Sequence, residues 1–172
     1  MIVRAERAED DDDAIAAVVE AAFGSPDEAR LVERFRASAG YLPELALVAE
    51  DGGEVVGHVL FTLTELVDGT SILMLSPLAV RPDRQRTGIG TALVREGLRL
   101  SAERTEPLVI VEGDPRYYSR FGFVAASTLG LERPYESIPE AAFQAQRLPA
   151  YVETARGRVV YPPPLAPFYE RK

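Results

Sequence analysis

The chain has 172 residues, of which 47% are apolar and 27% charged, a composition that favours one folded domain over residues 1–172 and excludes wholesale disorder. It has no cysteine and one histidine, His58, which excludes disulfides, thiol nucleophiles and multi-histidine metal sites, so we expect no metal. The formal net charge of −8 argues against a nucleic-acid partner. No apolar run reaches the ~20 residues that span a bilayer and no secretory signal is visible, so we expect a cytoplasmic protein without a membrane partner.

The charged residues are distributed unevenly. Only Lys172 of the 19 basic residues is a lysine, a bias typical of GC-rich bacterial coding sequences. The acidic run at residues 9–13 is best explained as the start of a helix, where the helix dipole favours negative charge.

The first half of the chain changes from a helical to a strand period. The alternation predicts a short strand over residues 2–5 and a helix over 12–23. A second helix runs to about residue 38, with Ser25 as cap, Pro26 at the first helical position and Glu28 closing a capping box. Three strands joined by tight turns follow as an antiparallel meander, over residues 45–50, 54–67 and 71–80.

The second half alternates helices and strands. We predict a helix over 88–102, a strand over 108–112, a short helix within 114–120, and strands over 123–131 and 157–161. Residues 132–156 have no clear period. The fold class is therefore α/β (α+β), with a mixed sheet of about seven strands and about four helices.

The most informative stretch is a strand, a basic loop, a glycine-rich turn and a helix. Gly88 and Gly90 allow close approach of a ligand to the backbone, and the first N–H groups of the helix lack intrahelical partners. With Arg84 and Arg86 nearby, the pattern predicts a site for phosphate or pyrophosphate. A P-loop and a dinucleotide fingerprint are excluded, because Thr91 and Leu93 stand where those motifs require lysine and a third glycine.

Two motifs resemble one family. Residues 85–90, Gln-Arg-Thr-Gly-Ile-Gly, match the Q/R-x-x-G-x-G/A signature of the GNAT superfamily of acyl-CoA-dependent N-acetyltransferases. Residues 118–123, Tyr-Ser-Arg-Phe-Gly-Phe, match its terminal Tyr-x-x-x-Gly-Phe turn. The run from Gly113 to Phe123 is similar to the YhbS-like branch, and the resemblance covers nearly the whole chain.

The resemblance implies acetyl-CoA as the cosubstrate. In that family the turn binds the CoA pyrophosphate through backbone amides, and the preceding strand pairs with the pantetheine arm. Carried over to this sequence, the pantetheine residues are Leu78, Ala79 and Val80, and the turn residues are Gln85, Arg86, Thr87, Gly88, Ile89, Gly90 and Thr91.

The resemblance also implies that Tyr118 is the general acid that protonates the leaving CoA thiolate. The general base stays open. Glu112, at the end of a strand, and His58, within a strand, are the leading candidates. Glu44, Glu65 and Asp114 are others, and a water chain or no dedicated base is an alternative.

The activity expected from the resemblance is acetyl transfer from acetyl-CoA to a primary amine by direct attack in a ternary complex, because no cysteine can carry the acyl group. The acceptor is a small molecule, a peptide or a protein, bound by walls at residues 22–43 and 132–156. The alternative is a non-catalytic acyl-CoA-binding or interaction module on the same fold. A homodimer is compatible with the sequence.

Overall fold

The computed structural model describes residues 1–170, and the chain divides into two compact units. Unit 1 comprises Met1–Phe61 and Ser76–Leu100, and unit 2 comprises Thr62–Leu75 and the chain from Ser101 onward. Within residues 1–170 there are nine strands and five α-helices, and the strands form a mixed, mostly antiparallel sheet. The predicted fold class is confirmed, with more strands and helices than the sequence indicated.

Unit 1 begins with a strand, two helices and a second strand. They are β1 (Ile2–Ala5), α1 (Asp12–Phe23), α2 (Asp27–Arg36) and β2 (Ala46–Asp51). β2 is antiparallel to β1 and to the first part of β3 (Glu54–Leu66), with Val48 opposite His58. The last part of β4 (Ser71–Val80) leads through a loop into α3 (Ile89–Ser101).

The apolar face of α1 fixes its position in unit 1. Ile15, Val18 and Val19 are buried and belong to one core cluster with Val48 of β2 and Ala79 of β4. Acidic residues fill the first turn of the helix, where the dipole favours them. The packing follows the i, i+3, i+4 spacing from which the helix was predicted.

α2 begins one residue later than predicted, and the predicted capping box is absent. Pro26 is the N-cap residue rather than the first helical residue. Ser25 Oγ still accepts a hydrogen bond from the backbone N–H of Asp27, at 3.1 Å. Glu28 Oε2, however, has no hydrogen-bond partner within residues 1–170, so the carboxylate does not turn back to the helix start.

Unit 2 contains the remaining elements. They are β5 (Leu108–Glu112), α4 (Pro115–Tyr118), β6 (Val124–Ala125), β7 (Leu131–Glu132), β8 (Phe143–Arg147), β9 (Gly157–Val160) and α5 (Pro167–Glu170). β4 and β5 are parallel, with Leu73 opposite Val109. β8 is antiparallel to both β5 and β6. β9 is antiparallel to the end of β3 and parallel to β7.

In unit 2 one predicted strand is wrong and one strand was not predicted. The strand predicted over residues 123–131 is split into β6 and β7 by a 3-10 turn at Ala126–Leu129, in which Thr128 Oγ1 donates to the carbonyl of Ala125 at 2.6 Å. The segment 132–156, which has no clear period in the sequence, contains β8. Side-chain hydrogen bonding to the backbone competes with the strand in the first case.

Across residues 1–170, no helix has both the length and the apolar composition that a membrane crossing requires.

Candidate active site

The loop after β4 enters α3 through two residues in the left-handed region. Arg86 has φ 62° and Gly88 has φ 91°. No acceptor in the described chain receives a hydrogen bond from the backbone N–H groups of residues 87–90. A β-carbon at Gly88 would have no atom within 4 Å, so there is open space beside the backbone of Gly88. Free N–H groups at the start of a long helix form a site for an anion.

The arginines of this loop differ in their pairing. Arg84 forms an ion pair with Asp51, and hydrogen bonding from Arg84 lowers the pKa of that carboxyl. Arg81 pairs with Asp83 at 2.6 Å. Arg86 is exposed, and within residues 1–170 no carboxylate forms an ion pair with it. Of the two arginines that the sequence sets beside the turn, Arg86 is therefore the one whose charge is not already neutralised.

Two exposed side chains hydrogen-bond to backbone carbonyls on either side of the loop. Gln85 Nε2 donates to the carbonyl of Val80 at 3.1 Å, and Thr87 Oγ1 donates to the carbonyl of Arg84 at 2.5 Å. Neither bond uses the N–H groups of residues 87–90. The predicted turn residues thus divide into side chains that hold the loop and backbone N–H groups without an acceptor in the described chain.

The end of β4 has a free backbone edge. β5 pairs with β4 only at Leu73, Met74 and Leu75. Among residues 1–170, no strand pairs with that edge at residues 78–80. The side chain of Ala79 is buried in the core of unit 1, while one backbone edge of this stretch has no strand partner and its Val80 carbonyl accepts from Gln85.

Tyr118 is held by its ring rather than by its hydroxyl. The ring makes edge contacts with Tyr117 at 5.0 Å and Phe123 at 5.8 Å between centroids. A β-carbon at Gly113 would lie 2.5 Å from Tyr118 Cε2, so any other residue there must displace the ring. The hydroxyl has no hydrogen-bond partner in the described chain. Burial, with a smaller contribution from Tyr117, raises the pKa of Tyr118 above its ordinary value.

Two glutamines of β8 hold the segment that carries Tyr118. Gln144 Nε2 donates to the carbonyl of Gly113 at 3.1 Å, and Gln146 Nε2 donates to the carbonyl of Phe121 at 2.9 Å. Residues two apart on a strand share a face, so both amides reach the same segment. Neither glutamine was predicted as a site residue, because the sequence pattern does not indicate β8.

Glu112, at the end of β5, is bound by two tyrosines from the C-terminal part of the chain. Its Oε2 accepts hydrogen bonds from the hydroxyls of Tyr161, at 2.8 Å, and Tyr169. Tyr135 stacks on Tyr169, with 4.9 Å between ring centroids and an interplanar angle of 5°. The pKa of Tyr161 and of Tyr169 is raised, first by burial and then by interaction with the carboxylate. Neither tyrosine was singled out from the sequence.

His58 is fully buried and lies in a different network, within unit 1. Its Nε2 is 2.8 Å from Glu6 Oε2, and Nδ1 is buried without a partner. Glu6 also accepts hydrogen bonds from Arg36 Nε at 2.9 Å and Tyr41 at 2.6 Å. Burial alone would raise the pKa of Glu6, but the hydrogen bonds from His58, Arg36 and Tyr41 hold it well below its ordinary value.

Comparison with known proteins decides the family. A family profile described as an acetyltransferase (GNAT) domain matches residues 4–126. The uncharacterized N-acetyltransferase YjhQ of Escherichia coli K12 is 38% identical to this chain in an alignment of 148 residues. The match covers 80% of this chain and 80% of that protein. The chain belongs to the GNAT acetyltransferase family.

Solved structures of GNAT proteins agree with this assignment. The GNAT protein YhbS from Escherichia coli, solved in complex with CoA, has a TM-score of 0.85 at 32% identity and covers 96% of this chain and 91% of its own. A GNAT acetyltransferase from Brucella melitensis, solved with acetyl-CoA, has a TM-score of 0.78 at 30% identity and covers 95% and 97%. The predicted resemblance to the family and to its YhbS-like branch is confirmed.

The other carboxylates considered as bases in this GNAT chain lie in three different settings. Glu44 is exposed in a 3-10 turn before β2, and Glu65 is exposed on β3. Asp114 caps α4 by accepting a hydrogen bond from the N–H of Arg116 at 2.9 Å, and hydrogen bonding from Arg116 lowers the pKa of its carboxyl. Asp114 therefore has a structural partner on the exposed surface.

The segment predicted as an acceptor wall in this GNAT chain contributes to a cleft in unit 2. The cleft has a volume of about 260 Å³. Leu131 and Phe143 line it together with charged residues that include Glu132, Arg133 and Arg158. Arg158 and Glu132 form a loose ion pair at 3.6 Å, so the rim carries both signs of charge.

Proposed function

We propose that this GNAT protein transfers an acetyl group from acetyl-CoA to a primary amine by direct attack in a ternary complex. The observation that carries the proposal is the turn at residues 85–90, where the N–H groups of residues 87–90 have no acceptor in the described chain and the space beside Gly88 is open, at the start of α3. Two relatives of the same family that cover more than nine tenths of this chain were solved with CoA or acetyl-CoA.

The residues of unit 1 fit a CoA pyrophosphate. The N–H groups of Thr87, Gly88, Ile89 and Gly90 would donate to its oxygens, and Arg86 would add positive charge. The carbonyls of Val80 and Arg84 already accept hydrogen bonds from Gln85 and Thr87, while the N–H groups of residues 87–90 are left as donors for a ligand. The unpaired edge at residues 78–80 would pair with the amides of the pantetheine arm.

Tyr118 would act as the general acid. Its raised pKa keeps the phenol protonated at neutral pH, as a proton donor requires. Because no residue of the described chain binds the hydroxyl, its proton is free for the leaving thiolate. We assign the base to Glu112 rather than His58, since the His58 ring is fully buried and hydrogen-bonded to Glu6.

In this mechanism Glu112 takes one proton from the ammonium group of the acceptor, which leaves a neutral amine. The amine nitrogen forms a bond to the thioester carbon, and the carbon–sulfur bond breaks. Tyr118 gives its proton to the thiolate and regains one from the nitrogen as the amide forms. Glu112 then releases its proton to water.

An assay of CoA thiol release with acetyl-CoA and a panel of primary amines tests the proposal. We expect release that depends on both the amine and the enzyme, together with an N-acetylated product in the mass spectrum. Binding of acetyl-CoA without product from any amine would contradict catalysis and favour an acyl-CoA-binding module.

A further inference from the structure

Two tyrosine hydroxyls converge on a single oxygen of Glu112. Tyr161 follows β9 and Tyr169 lies in α5, 49 and 57 residues beyond Glu112, and both donate to Oε2. A phenol has one hydrogen to donate, and each of these is used on the carboxylate. The two hydrogen bonds together hold Oε2 in one position.

The second oxygen of the same carboxylate is open. Oε1 of Glu112 has no hydrogen-bond partner within residues 1–170, and the side chain is only partly buried. The carboxylate is thus oriented, with one oxygen held and the other without a partner in the described chain. An oriented carboxylate oxygen of this kind is suited to a cationic donor.

The tyrosines themselves are fixed by packing. Tyr161 is buried and meets Tyr169 edge-to-face, at 5.3 Å between ring centroids. Tyr135 stacks on the ring of Tyr169 and contributes no hydrogen bond to the carboxylate of Glu112. The packed rings therefore hold the two hydroxyls in place. The hydroxyls in turn limit rotation of the Glu112 carboxylate.

We propose that Tyr161 and Tyr169 are positioning residues that hold Glu112 so that its Oε1 receives the ammonium group of the acceptor. The substrate class is then an amine that arrives protonated, such as an alkylammonium, rather than a neutral amine. The inference rests on the proposed function and adds the C-terminal part of the chain to its acceptor site.

The test measures binding rather than turnover. The probe is n-butylammonium, titrated by NMR into the full chain in the presence of CoA, with butan-1-ol as a neutral ligand of equal carbon length. The variants are Glu112→Gln, Tyr161→Phe and Tyr169→Phe. Tyr135→Phe is the matched control, because it removes a hydroxyl from the same ring cluster without removing a bond to Glu112.

We expect Glu112→Gln to weaken n-butylammonium binding about tenfold or more and to leave butan-1-ol unaffected. Removing either tyrosine hydroxyl removes one of the two bonds that hold Oε2 of Glu112. The affinity for n-butylammonium should therefore fall in Tyr161→Phe and in Tyr169→Phe and stay at the wild-type value in Tyr135→Phe. In the Glu112→Gln background, where no charged carboxylate is left to position, Tyr169→Phe should cause no further loss of n-butylammonium affinity.

Wild-type affinity for n-butylammonium in both Tyr161→Phe and Tyr169→Phe, or a further loss from Tyr169→Phe in the Glu112→Gln background, would overturn the positioning role. Equal affinity of wild type and Glu112→Gln for n-butylammonium would overturn the ammonium site, as would wild-type protein that does not prefer the cation to butan-1-ol. Because no acetyl transfer is needed for these readings, a failure of the proposed activity appears separately in the thiol-release assay.

Discussion

Gly113 lies so close to Tyr118 that a β-carbon at position 113 would stand 2.5 Å from the ring carbon Cε2. The carbonyl of the same glycine is held by Gln144 of β8. The hydroxyl of Tyr118 therefore takes its position from backbone packing at Gly113 and from neighbouring rings, and no hydrogen bond to the hydroxyl helps to fix it.

Replacing Tyr118 with phenylalanine removes the hydroxyl and keeps the ring contacts. We expect kcat to fall by about 10²–10⁴-fold, the usual contribution of a general acid or base. Acetyl-CoA affinity and melting temperature should stay close to wild type, because the hydroxyl has no partner in the described chain. Steady-state kinetics and calorimetry check this, and an unchanged kcat would remove Tyr118 from the mechanism.

Gly113→Ala displaces the ring while leaving the hydroxyl in the protein. We expect kcat to fall as in Tyr118→Phe, because a proton donor must lie within hydrogen-bond reach of the leaving group. The double variant should then be no slower than Tyr118→Phe alone, since both changes remove one function. Additive losses in the double variant would show that Gly113 acts by some other route.

Gly88→Ala tests the turn, and Gly69→Ala is its matched control. The two glycines have φ 91° and 89°, and a β-carbon at either meets no atom within 4 Å. Both variants should lose similar stability, roughly 1–2 kcal/mol for an alanine in the left-handed region. Only Gly88→Ala should weaken acetyl-CoA binding in a titration. Equal affinities in the two variants would mean that the ligand does not approach residue 88.

Glu6→Gln tests the buried network around His58. The folded-state pKa of Glu6 lies below its ordinary value of about 4.5, so its contribution to stability is complete above that pH and declines as the pH falls below it. We expect Glu6→Gln to lose about 3 kcal/mol of unfolding free energy at neutral pH, as for other broken buried ion pairs. Its acid-side decline should also be shallower.

Urea unfolding across acid and neutral pH measures this difference. Glu153→Gln is the control, because it makes the same chemical change at an exposed position. A Glu6→Gln curve parallel to that of wild type at acid pH would contradict the role of the network.

Direct attack predicts that no acetyl group is carried by the protein. The chain has no cysteine, so the usual thiol carrier is absent. The protein is incubated with acetyl-CoA and no amine, the reaction is quenched, and intact-mass spectrometry should give the mass of the unmodified protein. A stoichiometric acetyl adduct that is lost on addition of an amine would replace the ternary complex with a two-step mechanism.

The elements that the sequence predicted well have strong local patterns. β1, β4, β5 and α1 lie at the predicted residues because their apolar positions follow one period along the element. β8 was missed because its residues 144 and 146 are both glutamine, and the first is almost completely buried. Buried amides that bind a neighbouring segment do not appear as an apolar alternation.

The candidate site divides in the same way. The turn at residues 85–90 is a contiguous motif and was predicted from the sequence. The partners of Glu112 and His58 are 49 to 57 residues away in the chain, and nothing in the local pattern links them. Such contacts arise from the fold, and for this reason the choice of base stayed open until the surroundings of each candidate were known.

The proposed catalytic roles all depend on recognition of acetyl-CoA by the turn at residues 85–90. A thermal melt measures this recognition most directly. At a ligand concentration of about 100 times the Kd, binding adds about 2.7 kcal/mol, or roughly 5–10 °C for a chain of this size. We expect acetyl-CoA to raise the melting temperature by this amount, with no shift for NAD or ATP. No shift at millimolar acetyl-CoA, or an equal shift with all three ligands, would contradict the assignment.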